Sequence, residues 1–298
     1  MTIRPLQEHE LPAVLRLWND AAAHDVLTLE LLAEKVRQDP DEGATCLLAC
    51  NSDGDRLLGF GMGVIRVVDG VSRGIVKLLA VEPAARRQGT GAALLRRVEA
   101  ALTQRGASVL RVAESAPNYL VPGIDARYEN GLSFFAAQGY TKTGEAYNLQ
   151  ADLQAGAIPT LQALGDTIEL RRAGPDDLAP LAAFLAQRWP TWHAEVMSAA
   201  GNEPASLHVA VQRDAIIGFA AHDANNRGTA WFGPMGVEGN ARRSGVGCAL
   251  LRRCLADMQR QGHLHAIIPW VDAVPFYEKC AGATLFRTFV RFEKVVPA

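Results

Sequence analysis

The amino-acid sequence predicts an α/β fold, of α+β character with a mixed sheet, that occurs twice along one chain. Its 298 residues suffice for two domains of about 150 residues each. Residues 81–106 and 237–262 are identical at 14 of 26 aligned positions, which identifies an internal repeat. The runs that flank the repeated segment follow the same order in both halves. We therefore expect two copies of one structural unit.

The elements of each copy are predicted from hydrophobic periodicity. A short β-rich run opens each half, at 2–6 and at 167–173, and an amphipathic helical pattern follows it. Two further β-rich runs with a turn signal between them predict a hairpin. A strand, the repeated loop, a long helix and another buried strand come next. A short helix then ends at Gly139 or Gly282, before a final strand.

A stretch between the two copies has the composition of a linker. Residues 154–166 (QAGAIPTLQALGD) combine proline, glycine and small side chains. The predicted domains are therefore 1–153 and 167–298. We expect them to form a pseudo-dimer within the chain.

The composition argues against several classes of protein. With 30 basic and 32 acidic side chains the formal net charge is −2, so no nucleic-acid partner is expected. No run approaches the roughly 18 apolar residues that cross a bilayer, and the first ten residues lack a signal pattern. A cytoplasmic protein without a membrane partner is therefore expected. The five cysteines form no C-x-x-C pair, which predicts neither a disulfide framework nor a metal site.

Each copy carries a loop rich in arginine and glycine directly before its long helix. A helix start presents unpaired backbone N–H groups and the positive end of the helix dipole, which together suit a phosphate. Glycine lets the phosphate approach the backbone, and arginine adds charge-assisted hydrogen bonds. The predicted phosphate-binding residues are Arg86, Arg87, Gln88, Gly89, Thr90, Gly91 and Ala92, and Arg242, Arg243, Ser244, Gly245, Val246, Gly247 and Cys248.

Other nucleotide-binding motifs fit these glycines less well. The dinucleotide fingerprint needs a third glycine, where the chain has Leu94 and Leu250, and Gly89 lies eight positions after Val81. The Walker pattern needs Gly-Lys-Ser or Gly-Lys-Thr, which is missing from both loops. A flexible helix start would explain one copy, but it does not explain two copies that both keep an arginine pair.

Each half resembles the GNAT superfamily of N-acetyltransferases, because both loops fit its signature Q/R-x-x-G-x-G/A at a helix start. The resemblance implies acetyl-CoA (coenzyme A) as cofactor, with the pantetheine arm beside a splayed strand. An amide near Leu79 or Met235 would then face the acetyl carbonyl. Pro234 agrees with a strand that is not fully paired. The strand residues implied at the arm are Leu79, Ala80, Val81, Met235, Gly236 and Val237.

The resemblance also implies a tyrosine in the last helix that protonates the departing thiolate. Tyr277 has this position in the second half, where a core aromatic is the competing interpretation. Phe135 replaces it in the first half. In the first half, Tyr119, Tyr128, Tyr140 or water would have to protonate the thiolate.

Further polar residues are candidates for the site. Asn130 and Asp272 stand five residues before the aromatic positions and either contact the cofactor arm or cap a helix. Glu114 is the candidate base of the first half. His193 and His222 are candidate bases of the second half.

The first half contains an insertion, residues 113–131, that the second half lacks. Glu114, Asp125 and Glu129 within it would suit a cationic amine, so the loop either selects the acceptor or is structural.

These observations predict an enzyme that transfers the acetyl group of acetyl-CoA to a primary amine of a small molecule, by direct transfer in a ternary complex. A small-molecule amine and a second copy of the chain, as a homodimer, are the expected partners. One alternative is a single catalytic domain beside a degenerate structural or acyl-CoA-sensing one. Another is a sensor in which neither half accepts an amine.

Overall fold

The computed structural model describes two compact units. Unit 1 comprises Met1–Ala146 and Thr288–Ala298, and unit 2 comprises Tyr147–Arg287. None of the helices among the described residues has both the length and the apolarity of a membrane span. The described residues are 1–40, 46–51, 56–154, 156, 164 and 167–296, without the side chains of 46, 47, 50 and 51.

Unit 1 begins with a short strand and two helices, and its long strands follow. Its helices are α1 Leu11–Ala21, α2 Leu29–Arg37, α3 Thr90–Gln104 and α4 Glu129–Ala137. Its strands are β1 Thr2–Pro5, β2 Cys46–Asn51, β3 Leu57–Val68, β4 Val71–Val81, β5 Val109–Val112, β6 Ile124–Asp125 and the first half of β7 Thr141–Asp152.

Unit 2 repeats this order. Its helices are α5 Leu178–Arg188, α6 His193–Ala200, α7 Val246–Arg260 and α8 Val274–Ala281. Its strands are β8 Ile168–Arg172, β9 Leu207–Gln212, β10 Ala215–His222, β11 Phe232–Val237, β12 His265–Ile268 and the start of β13 Thr284–Val295.

The sheet of unit 1 is mixed, as predicted. Strands β1 to β4 pair antiparallel in chain order, and β5 lies parallel to β4. The end of β13 pairs antiparallel with β5, placing Glu293 opposite Arg111. Asp69 and Gly70 both have positive φ (52° and 75°) between β3 and β4, which is the backbone of a tight type I′ hairpin.

The sheet of unit 2 contains β8, β9, β10 and β11 in antiparallel order. Arg213 and Asp214, with φ of 50° and 63°, form the predicted turn between β9 and β10. The corresponding Asp-Gly signal at Asp53 and Gly54 lies outside the described residues. The second half of β7 pairs with β12, placing Leu149 opposite Ile268.

Helices cover both faces of each sheet, and each face has its own apolar cluster. In unit 1, α1 and α2 pack on the face of Phe60 and Met62, while α3 packs on the face of Val76. In unit 2, α5 and α6 pack on the face of Phe219, and α7 packs on the face of Ala220. The phosphate-loop helices α3 and α7 therefore occupy equivalent faces.

Two helices were not predicted from the sequence, α2 and α6. Helix α2 has nine residues and α6 has eight. A capping signal was present for α2, because the Thr28 hydroxyl accepts a hydrogen bond from the Leu31 amide at 3.2 Å.

The units of the structure differ from the predicted domains at two places. Residues 147–153 belong to unit 2, where β7 pairs with β12, and residues 288–298 belong to unit 1, where β13 pairs with β5. A prediction that divides the chain at a single point cannot describe strands such as β7 and β13, which each contribute to both units. Of the predicted linker, only residues 154, 156 and 164 lie within the described part of the chain.

Candidate active site

In unit 1 the two parallel strands diverge beside the predicted loop. The pairs between β4 and β5 run from Arg73↔Val109 to Val76↔Val112, and the Ala113 amide donates to the Val76 carbonyl at 2.9 Å. Strand β4 then continues alone on this side to Val81. The implied residues Leu79, Ala80 and Val81 lie in this extension and pair with β3 on its other side.

Unit 2 has the same divergence. Trp231, directly before β11, forms an isolated parallel bridge with Ile267 of β12, and β11 then continues without a partner on this side to Val237. The pairing of β11 with β10 shifts register around Pro234, as expected from that proline, and resumes at Met235, Gly236 and Val237. Each unit therefore has an open strand edge that could pair with an extended ligand.

Both loops end in a glycine that begins the long helix. Gly89 and Gly245 have φ of 83° and 90°, a left-handed conformation that glycine adopts without strain. The first helical hydrogen bonds run from Ala93 to Gly89 at 2.9 Å and from Ala249 to Gly245 at 3.0 Å. The earlier amides of each helix therefore have no acceptor within the helix, and such groups bind anions.

Side chains brace the loop of unit 1. The Arg86 guanidinium donates to the Ala21 carbonyl at 3.0 Å and the Val81 carbonyl at 3.3 Å, and Gln88 donates to the Ala84 carbonyl at 3.1 Å. These bonds give Arg86 a structural role beside its predicted phosphate contact.

In the loop of unit 2 the Ser244 hydroxyl donates to the Ala241 carbonyl at 2.6 Å. Arg87, Arg242 and Arg243 are exposed, so three arginines of the two loops are accessible to an anion.

The second glycine of each loop lies beneath an aromatic ring. A Cβ at Gly91 would lie 3.5 Å from the Phe134 ring, and one at Gly247 would lie 3.4 Å from the Phe276 ring. Beside them, Thr90 and Val246 are buried, whereas Ala92 and Cys248 are half-buried. A methyl group at either position would therefore make ordinary van der Waals contact with the ring, which agrees with a signature that allows glycine or alanine there.

Tyr277 lies beside the mouth of the strand divergence in unit 2. Its ring contacts the rings of Phe276 and Phe232, with centroids 5.0 and 6.3 Å apart, and Phe232 is the first residue of β11 after the bridge to β12. Burial, with a smaller contribution from the Asp272 carboxylate, raises the pKa of Tyr277 to about 12. The hydroxyl therefore keeps its proton at neutral pH.

The described tyrosines of unit 1 that were considered as donors differ from Tyr277 in their surroundings. Phe135 packs edge-on against Tyr140. The Tyr140 hydroxyl is buried, and this burial raises the pKa of Tyr140. The Tyr128 hydroxyl accepts a hydrogen bond from the His24 amide at 2.8 Å, and Tyr119 is buried.

The predicted acidic groups of the 113–131 insertion are largely engaged. Glu114 is buried and accepts hydrogen bonds from Arg111 at 2.6 Å and from Arg291. Asp125 is buried and accepts hydrogen bonds from Arg127. Each carboxylate oxygen of Glu114 already accepts a hydrogen bond from a guanidinium, which argues against Glu114 as the base.

Asn130 and Asp272 cap no helix, which corrects one of the two roles considered for them. Tyr128 and Ala273 are the N-cap residues of α4 and α8. Both Asn130 and Asp272 are exposed near these helix starts, and contact with a cofactor arm stays a prediction.

A buried ion-pair network in unit 1 was missed from the sequence. Lys77 has no partner opposite it on β3, since the register shifts there, and its ammonium donates to Asp39 at 2.6 Å. Arg66 donates to the same carboxylate at 2.8 Å and to the carbonyls of Ser115 and Pro117. Burial lowers the pKa of Lys77 to about 8. The insertion thus closes over charged groups on the α2 face of β4.

Unit 2 has a different buried cluster, centred on Asp257 of α7. This carboxylate accepts hydrogen bonds from His208 and Arg172 at 2.7 and 2.6 Å, and His222 Nε2 lies 3.5 Å from it. His222 Nδ1 lies 3.1 Å from Asp223. Burial alone would lower the pKa of His222, but its contacts with the two carboxylates raise it. The His222 ring is buried between these two carboxylates, so an acceptor amine has little access to it, and His222 does not suit the role of base considered for it.

The cluster predicts that unit 2 is less stable in alkaline solution. Because the pKa of His222 is raised, its stabilising contribution is complete below the ordinary histidine value of about 6.5 and is lost as the pH rises through the raised value. Urea unfolding at pH values between 6 and 9 should show that the free energy of unfolding of the part of unit 2 that contains α7 declines as the pH rises. His222→Gln should make this decline smaller. His193→Gln, a change at an exposed position, is the control and should leave the decline intact; an unchanged decline in His222→Gln would contradict the assignment.

Two family models match the chain. The acetyltransferase (GNAT) family matches residues 6–120, and an acetyltransferase (GNAT) domain matches residues 203–280. Both segments contain a divergent strand and a glycine-capped helix. Among curated protein sequences no significant match is found.

Solved structures of low sequence identity share the fold. A glucosamine N-acetyltransferase region of a fungal multi-domain beta-N-acetylglucosaminidase is 19% identical with a TM-score of 0.85, and the match covers 98% of this chain and 38% of that one. A GCN5-related N-acetyltransferase from Sphaerobacter thermophilus is 18% identical, with a TM-score of 0.73 and coverage of 100% and 96%. A tandem GNAT protein from the clavulanic acid biosynthesis pathway is 18% identical, with a TM-score of 0.76 and coverage of 100% and 99%.

Proposed function

Because the chain belongs to the acetyltransferase (GNAT) family and carries two of its domains in tandem, we propose that unit 2 acetylates a primary amine of a small molecule with acetyl-CoA. The observation that carries the proposal is the combination, within unit 2, of an open β11 edge, a glycine-capped phosphate loop and a protonated tyrosine. The cytoplasmic location and the acetyl group as the acyl chain belong to the same proposal.

The residues of unit 2 fit coenzyme A, and different groups of them have different roles in the reaction. Arg242, Arg243 and the first amides of α7 would hold the pyrophosphate, and the edge of β11 would pair with the pantetheine arm. Acetyl-CoA supplies the thioester. The amine nitrogen would form a bond to the acetyl carbon and lose one proton to water as the carbon–sulfur bond breaks. The Tyr277 hydroxyl would protonate the sulfur and then regain a proton from water. An amide near Met235 would stabilise the carbonyl oxygen as its charge develops.

For unit 1 we propose cofactor binding without turnover. Its loop and open β4 edge match those of unit 2, but Phe135 stands where the second copy has Tyr277. The ion pairs of Lys77, Arg66 and Asp39 also fill the α2 face of β4. This supports the alternative of one catalytic domain beside one that only binds the cofactor.

Thiol release from acetyl-CoA with a panel of amines tests the enzymatic proposal. The panel should include glucosamine, because one similar structure is named for that acceptor, together with linear alkylamines and arylamines. Turnover with at least one amine, with a product heavier by one acetyl group, is expected. Binding of coenzyme A without turnover of any amine would favour a sensor.

We predict about two coenzyme A sites per chain, which calorimetry with desulfo-CoA would measure. Gly89→Glu and Gly245→Glu should each abolish one site, because a side chain at positive φ is strained and a carboxylate repels phosphate. Gly106→Glu is a matched control: Gly106 also has positive φ (85°) but lies beyond the other end of α3, so both sites should persist. A single site in the unaltered chain would contradict the proposal for one unit.

A further inference from the structure

Two tryptophans follow α5 in unit 2, where unit 1 has a small and an acidic residue. Trp189 ends α5 with φ −143° and ψ 62°, and its amide bonds to the carbonyl four residues earlier at 2.8 Å. Ala22 ends α1 with φ −124° and ψ 63° and makes the matching bond at 2.7 Å. Trp189 therefore occupies the place of Ala22, and Trp192 that of Asp25, three residues later.

The Trp189 indole lies directly against β11. A Cβ added to Gly236 would come within 2.9 Å of two indole carbons of Trp189 and of the Phe219 ring. The residue paired with Phe219 in unit 2 is Gly236, whereas the residue paired with Phe60 in unit 1 is Ala80. The missing side chain at Gly236 is therefore what lets the indole reach this strand.

The tryptophans lie on the face of β11 that is opposite α7. Phe219 packs with α5 and α6, and its neighbour Ala220 packs with α7 on the other face. The phosphate loop begins α7, so a bound cofactor enters from the α7 face. An amine that attacks at the β11 edge would then arrive from the face of Trp189.

The two indoles form a flat and well-supported surface. Trp192 stacks on Trp189 with centroids 5.8 Å apart and planes 10° from parallel. Phe184 and Phe219 support Trp189 edge-on at 5.5 and 5.7 Å. Both indoles are half-buried, so part of this surface is accessible to a ligand. A rigid aromatic surface binds with little loss of conformational entropy.

The residues on either side of Trp192, Thr191 and His193, are polar and exposed. Of the carboxylates in this region, Glu238 accepts a hydrogen bond from Arg188 at 2.6 Å, and Glu195 is buried. A linear alkylamine would gain most from a free carboxylate. A sugar ring gains instead from stacking its C–H face on an indole while its hydroxyls bind a polar rim.

We propose that Trp189 and Trp192 form the acceptor platform of unit 2 and that its occupant is the ring of an amino sugar. This inference rests on the proposed acetyl transfer, since it concerns the acceptor of that reaction.

The test compares Trp192→Ala, Trp192→Phe and Asp25→Ala, the last being the matched position in unit 1. With glucosamine as acceptor, Trp192→Ala should raise KM by about 10-fold, as expected for loss of one aromatic contact. Trp192→Phe should recover most of the affinity. Asp25→Ala should change nothing, and KM for acetyl-CoA should stay constant in all three. Thermal unfolding of each variant checks that the platform change has not disrupted the fold.

Two outcomes would overturn the platform: an unchanged glucosamine KM in Trp192→Ala, or turnover of alkylamines or arylamines but not of amino sugars. Calorimetry with glucosamine in the presence of coenzyme A separates this inference from the proposed function. Binding that depends on Trp192 but leads to no acetylated product would retain the platform and reject the reaction.

Discussion

Replacing Tyr277 with phenylalanine is expected to lower kcat for amine acetylation by about 10-fold or more, while the affinity for coenzyme A stays near its original value. General acid assistance contributes roughly 10²- to 10⁴-fold in enzymes, and water can replace part of it. The substitution removes only the hydroxyl, so the ring contacts with Phe276 and Phe232 persist. Steady-state thiol release and calorimetry with desulfo-CoA give the two quantities.

The pH profile adds a second readout for Tyr277. Since burial raises the pKa of Tyr277 to about 12, the acid keeps its proton up to pH 10, and kcat should show no alkaline loss from this group in that range. Tyr140→Phe removes a buried hydroxyl of unit 1 and should leave kcat unchanged. If kcat is the same in Tyr277→Phe and in the unaltered chain, Tyr277 is not the acid and only packs against its neighbours.

The repeat and the glycine-capped starts of α3 and α7 were predictable because both are visible in short segments of the sequence. A glycine at positive φ, followed at once by an apolar helical period, specifies a helix start in any fold, and both Gly89 and Gly245 have that conformation. The predicted α/β fold and the two GNAT domains are confirmed. Pro234 likewise marked a break in pairing, because a proline has no N–H to donate to a ladder.

The polar interior could not be predicted in the same way. Glu114 was a plausible base in the sequence, and its contact with Arg291, 177 positions away, appears only when β13 pairs beside β5. Lys77 and Asp39 are 38 positions apart and meet through a register shift and the short helix α2. Ion pairs between distant segments leave no periodic signal, and either partner alone looks like an exposed surface charge.

Strands β7 and β13 each contribute to both units. We therefore expect that a substitution near the end of the chain, in β13, destabilises unit 1, which consists mainly of the first 146 residues. Phe292 of β13 is buried in the cluster of α3 and its ring lies 6.4 Å from Phe135, both in unit 1. Leu149 of β7 is fully buried in the cluster of α7, in unit 2. Truncating a buried phenylalanine or leucine to alanine costs about 2 to 5 kcal/mol.

Phe292→Ala should therefore destabilise unit 1 by about 3 to 5 kcal/mol, and Leu149→Ala should destabilise unit 2 by about 2 to 5 kcal/mol. Hydrogen exchange followed by mass spectrometry distinguishes the units, because peptides from α3 and α7 report on one unit each. Phe292→Ala should accelerate exchange in α3 first, and Leu149→Ala should do so in α7. The two variants serve as each other's control, since each removes a buried apolar side chain from a different unit. Faster exchange in α7 than in α3 after Phe292→Ala would mean that the end of β13 stabilises unit 2, and the predicted domains 1–153 and 167–298 would then be the better description of the chain.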